Sequence, residues 1–110
     1  MSLLVERARL FAHDDMRVAV EDGRVRAVAK DLRVEQGYRS LGVIIARGGG
    51  QHEYGEALDR VICGEDGTTR FHHSIVDTLA RDGAVAAIVN TSPLWIEIDR
   101  PEDIERWRAR

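Results

Sequence analysis

Two features of this 110-residue sequence gather side chains that could do chemistry. The first is Leu94-Trp95-Ile96-Glu97-Ile98-Asp99, in which apolar residues alternate with others. Period-two alternation predicts a strand with Leu94, Ile96 and Ile98 on the core side and Trp95, Glu97 and Asp99 together on the other. One aromatic and two carboxylates on a shared face make a place to hold a cation. Asp99 offers the hard oxygen that Mg²⁺ takes, and Trp95 with Glu97 offers a π-face and a charge to an organic cation. The same pattern also describes a solvated strand face running into a helix cap. The second feature is Lys30, the only lysine among 16 basic residues. An ammonium is a compact, strongly hydrated point charge and not interchangeable with a guanidinium, so Lys30 is a candidate for a position that needs one. Chance survival in an arginine-rich chain is the other reading.

Other reactive side chains carry less. His73 and Asp77 lie one helical turn apart, but two ligands fall short of a metal site. His72 and His73 therefore read as surface or pocket-edge residues. Gly48-Gly49-Gly50 follows an apolar run without the paired lysine of a phosphate cradle. Cys63 has no His or Lys close by in sequence to activate it and reads as a buried apolar residue.

These residues need a frame. Leu3 to Ala8 predicts a short strand. Asp22-Gly23 predicts a two-residue turn of the I′ type, which pairs Val20 with Val25, Val18 with Ala27 and Met16 with Ala29 on one buried face, and sets Glu21 opposite Arg24. Leu41 to Ala46 is a continuous apolar run, the pattern of a strand covered on both faces. Tyr54, Leu58, Val61 and Ile62 fall at helical spacing. Phe71, Ile75 and Leu79 mark a second helix that Gly83 stops. Ala84 to Val89 repeats the buried-strand pattern. Pro101 opens a last helix, with Glu102 and Asp103 at its positive end, Ile104 and Trp107 as its apolar edge, and Arg106, Arg108 and Arg110 suiting its C-terminus. The fold class expected is α/β: a partial mixed sheet with flanking helices, in one domain and with too few crossovers to complete a doubly wound sheet.

Composition narrows the setting. Residues are 44% hydrophobic and 32% charged, with a net charge of −3 that argues against nucleic acid as the main partner. A single cysteine excludes an intramolecular disulfide and suits a reducing cytoplasm. No apolar run reaches the length of a membrane span, and the N-terminus lacks a signal-peptide pattern, so the expectation is a cytoplasmic protein without a membrane partner.

The stretch WIEIDRPEDIER, from Trp95 to Arg106, closely resembles the W-x-E-I-D-x-P-E-D-L ending of cytidylyltransferases acting on phosphocholine and of related sugar-phosphate nucleotidyltransferases. DMRVAVEDGRVRAVAKDL (Asp15 to Leu32) resembles that family's hairpin, GYRSLGVIIAR (Gly37 to Arg47) the strand after it, and FHHSIVDTLARDG (Phe71 to Gly83) the helix before the last strands. The resemblance implies the C-terminal, acceptor-binding half of a Rossmann-like nucleotidyltransferase fold. It implies that Asp99 ligates a catalytic Mg²⁺ shared with the other half, that Lys30 contacts the acceptor's phosphate as a catalytic residue, and that Trp95 and Glu97 bind the acceptor. The reaction implied is transfer of a nucleotidyl group, CMP foremost, from a nucleoside triphosphate to a phosphorylated acceptor such as phosphocholine or a sugar phosphate. The family's Gly-rich nucleotide loop and first metal aspartate match nothing here, so the chain is expected to be inactive alone and to meet the triphosphate only with that half. His72-His73-Ser74 stands where relatives often carry an aromatic and acidic cluster, and Arg100 where a Thr cap is common, which weakens the start of the last helix. The alternative is a non-catalytic domain that binds a small ligand or assembles as a homodimer, covering an apolar face in the process.

Overall fold

The Asp22-Gly23 turn takes positive φ at both residues, 51° and 73°, and joins β2 (Arg17–Glu21) to β3 (Arg24–Ala29). Beside the turn the expected pairs Glu21 with Arg24 and Val20 with Val25 form. The register then slips: Ala19 pairs with Ala27, Val18 with Val28 and Arg17 with Ala29. Arg26 is the extra residue of a bulge and lies exposed. Strict alternation would put Val25 and Val28 on opposite faces; the inserted residue lets both be buried with Val18. The computed structural model describes residues 1–12, 14–33, 37–64, 72–92 and 95–110. Phe71 and Leu94, which the sequence assigns to a helix and a strand, lie outside the described residues.

Around this hairpin the strands close into a barrel in the order β1, β4, β2, β3, β5 and back to β1. β1 (Ser2–Arg7) is flanked by β4 (Tyr38–Ile45), antiparallel, and by β5 (Ala86–Val89), parallel. The last seam is short. Arg24 pairs with Ala86, Val25 N–H donates to Val85 O at 2.9 Å, and Ala87 N–H donates to Gly23 O at 2.9 Å. That seam overturns the open, Rossmann-like α/β sheet expected from the sequence. The physical reason lies in bulges that curl the sheet. One is at Arg26. A larger one lies in β4, which advances from Ser40 to Ile44 while β1 advances only from Val5 to Leu3. Gly42, at φ 75°, absorbs the irregularity.

Leu3, Val5, Val18, Val25, Val28 and Val85 fill the core, together with Ala57 of α1 (Gly49–Ile62) and Ile75, Val76, Leu79 and Ala80 of α2 (His73–Arg81). α2 packs on β3 and α1 on α2. Asp77 of α2 accepts Val28 N–H at 2.8 Å, so the helix satisfies a backbone group of the bulged strand. α2 ends as expected, with Gly83 at φ 74°. Three expectations fail on burial. β4 is not covered on both faces, since Val43 and Ile45 are exposed, and the same holds for Ile88 and Val89 of β5. Cys63 is exposed, as is Ile62 beside it. The three glycines do not form a loop: Gly48 turns at φ 52° and α1 begins at Gly49. α3 (Pro101–Arg108) starts at the expected proline, but Ile104 and Trp107 are half exposed.

Candidate functional site

The end of β3, the bulge of β4, the start of α2 and the segment from Trp95 to α3 enclose a cleft of about 920 Å³. Lys30, Trp95, Glu97 and Asp99, the four candidate site residues, all line it. The structure reaches this arrangement by a route different from the one expected. Trp95 to Asp99 forms no strand, and Ile98 is half exposed instead of pointing into the core. In a ladder already closed by β5, the segment has no strand to join. It crosses the mouth of the cleft as irregular chain, with Ile96 as well as Trp95, Glu97 and Asp99 on its lining.

What fixes this segment is the start of α3. The Asp103 carboxylate Oδ2 accepts the N–H groups of Asp99 and of Arg100, each at 3.0 Å. These backbone bonds, with Arg106 ion-paired to the other oxygen, hold the Asp103 carboxyl below its ordinary pKa. Arg100 supplies no capping side chain, as the sequence suggested, but Asp103 reaches back and takes its place. At the far end Arg110 Nη2 donates to Trp95 O at 3.1 Å, and Arg100 lies 3.5 Å from Asp14.

The cleft has two electrostatic ends. Glu97 meets carboxylates: burial first, then Asp99, Asp14, Asp15 and Asp103, raise its pKa. Glu97 Oε1 lies 3.8 Å from where a Cβ on Gly42 would stand, an ordinary contact distance, so the positive φ and not lack of room is what favours glycine there. The other end is cationic and imidazole-rich. His73 has its pKa pushed down to about 4, by burial first and then by His72 and Lys30. Its Nε2 lies 3.0 Å from Ser40 Oγ, and the Gly42 N–H donates to that same Oγ at 3.0 Å. The His72 and His73 rings stack at 4.1 Å, tilted by 36°. Arg39 also lines the cleft but is committed to Glu6 and to Asp15, the latter at 3.4 Å; burial opposes its charge and the two carboxylates outweigh it, leaving the pKa raised.

Sequence reasoning missed Ser40 and underrated His73. No local signal links residues 33 apart in the chain, and Ser40 meets α2 through its place in the β1–β4 ladder, opposite the buried Val5. The pairing of His73 with Asp77 does not form: Asp77 is taken by Val28 N–H and by Arg81 Nε at 3.0 Å, while His73 turns to Ser40. Among the described residues no helix is long and apolar enough to cross a membrane, and no group of three or more His, Cys, Asp or Glu is placed to hold a metal. No family model, curated protein or solved structure matches the chain.

Proposed function

We propose that the chain is the acceptor-binding part of a nucleotidyltransferase, and that its acceptor is a phosphorylated amine such as phosphocholine. One observation carries the reading. Four residues picked out by motif, separated by as many as 69 positions (Lys30 to Asp99), line a single cleft with cations at one end and carboxylates beside an indole at the other. A zwitterionic ligand, with phosphate toward Lys30 and ammonium toward Trp95 and Glu97, is complementary to both ends at once. A neutral sugar phosphate uses only one of them.

In this reading Lys30 screens the acceptor phosphate while one of its oxygens attacks the α-phosphorus of a nucleoside triphosphate, the α–β bridging bond breaks and pyrophosphate leaves, and the protein contributes positioning and electrostatics. Asp99 is the residue that would hold Mg²⁺, and such an ion supplies charge neutralisation to phosphate oxygens. The donor set fits a shared ion more than a dedicated cage, because Mg²⁺ keeps much of its shell from water and substrate phosphates when protein offers one carboxylate. The triphosphate's own contacts belong to polypeptide other than these 110 residues.

Calorimetry tests this. Phosphocholine should bind at least about tenfold more tightly than choline or inorganic phosphate alone, and the chain alone should turn over no nucleoside triphosphate. Equal affinity for phosphocholine and phosphate, or transferase activity from the isolated chain, sinks the reading. A second reading, a homodimerising domain, is favoured by the exposed Val43 and Ile45 of β4 and Ile88 of β5, the two strands that flank β1 in the barrel wall. Concentration-dependent sedimentation abolished by Ile45→Glu would support it.

A further inference from the structure

Ser40 and His73 are not used by the reaction described above, yet both line the cleft beside Lys30. Their hydrogen bonds have a consequence. The Ser40 hydroxyl has two lone pairs and one proton. Gly42 N–H fills one lone pair at 3.0 Å. In the neutral tautomer with the ring proton on Nδ1, the Ser40 hydroxyl donates to His73 Nε2, 3.0 Å away. Place a proton on Nε2 and that bond reverses. The ring now donates to Ser40 Oγ, both lone pairs are filled, and the hydroxyl proton must find a third acceptor. The cleft is where that acceptor can stand.

We propose that Ser40, His73 and Lys30 form a phosphate subsite in which an arriving dianion draws a proton from solvent onto His73 Nε2, turning the Ser40 hydroxyl proton onto the ligand. The inference rests on the acceptor-site reading for its ligand class. The groups facing His73 account for the sign. On its own helix are His72, which disfavours the imidazolium, and Asp77, whose carboxylate is taken by Val28 N–H and Arg81. Lys30 at the end of β3 disfavours it too. Arg39 of β4 is held by Glu6 and Asp15, and Glu97 and Asp99 line the same cleft, Glu97 beside the Gly42 whose N–H bonds Ser40. Without a ligand His73 therefore stays neutral, with its pKa near 4. A dianion beside Lys30 cancels the repulsion from that ammonium and adds attraction, which favours the imidazolium. Binding is then linked to uptake of one proton, held in a charge-assisted bond.

The experiment uses sulfate, a dianion with no titration of its own in the range examined, and follows the His73 ring by NMR from pH 4 to 8 with and without saturating sulfate. The His73 pKa should rise by about 2 units on saturation. Between the free and liganded values, sulfate affinity should fall about tenfold per unit of rising pH and then level off. Ser40→Ala should weaken sulfate by about tenfold, and His73→Gln should leave a weaker affinity that no longer varies with pH over this window. A His73 ring that titrates at the same pH with and without sulfate, or sulfate that does not bind the wild-type chain, overturns the proposal without recourse to any variant. Phosphocholine provides the separation from the parent reading. If it binds no tighter than sulfate while still raising the His73 pKa, the subsite stands and the acceptor reading falls. If it binds tightly through Trp95 with His73 unmoved, the subsite falls alone.

Discussion

The β2–β3 hairpin and the segment from Trp95 to Arg110 contribute to the same cleft by opposite means. The hairpin is a hydrogen-bonded ladder in which Val18, Val25 and Val28 are buried, and it delivers one candidate residue, Lys30, just past its end. The C-terminal segment delivers three, Trp95, Glu97 and Asp99, from irregular chain in which Ile98 is exposed, followed by a helix on which Ile104 and Trp107 are exposed. One region owes its position to the core. The other owes it to a few polar bonds, those of Asp103 with Asp99 and Arg100 and that of Arg110 with Trp95. The cleft thus has a core-anchored wall carrying Lys30 and a lightly held wall carrying Trp95, Glu97 and Asp99 among arginines, a division that suits a site whose second wall adjusts to its ligand.

The largest expected contrast comes from truncating the core that anchors the hairpin and the helix that follows the other wall. Leu3 is fully buried in β1, between β4 and β5, so Leu3→Ala should cost about 2–5 kcal/mol in urea unfolding. Trp107→Ala, on the half-exposed face of α3, should stay within about 0.5 kcal/mol despite the larger side chain. A Trp107 variant as damaging as the Leu3 one would mean that α3 is part of the core after all. Next, Gly42→Ala forces a Cβ into a φ of 75° close to Glu97 and should cost about 1–2 kcal/mol. Its effect on phosphocholine binding should exceed what that loss of stability explains, because the bulge serves both ends of the cleft. Third, Asp103→Asn should leave the unfolding midpoint nearly unchanged while hydrogen exchange in α3 speeds up and phosphocholine binding weakens; unchanged exchange in α3 would remove the capping argument.

A further contrast concerns pH. The folded-state pKa of His73, about 4, lies below its ordinary value of 6.5. Between these values the unfolded chain binds more protons than the folded one. Stability therefore rises with pH through that window, is fully present above about 6.5, and is lost as pH falls toward 4. His73→Gln should flatten that part of the stability–pH curve, and an unaltered slope would show that His73 is not buried neutral.

Particular residues show how far the sequence carried. Asp22-Gly23 announced its turn because two adjacent positive-φ positions leave few residue choices. The register beyond Ala19 was hidden, since an exposed Arg26 in a bulge looks the same as an exposed Arg26 in a regular strand. Closure of the barrel was hidden for a related reason: a seam made at Arg24 and Ala86 depends on accumulated curl, which no local pattern records. The helices were legible in their apolar spacing, except where exposed Ile62 mimicked a core position. Of the site, Lys30 drew notice by its rarity, and Trp95, Glu97 and Asp99 by a motif rather than by a strand geometry that does not form. Ser40 gave no signal, because a serine becomes chemically interesting only once a histidine 33 residues away is beside it.

The most direct test of a single ligand spanning both walls is an NMR titration with phosphocholine that follows the Trp95 indole N–H and the His73 ring together. The account predicts that both shift along one saturation curve with one Kd, and that Lys30→Met and Trp95→Ala each weaken that common Kd. Separate curves, or shifts at one wall only, would contradict it.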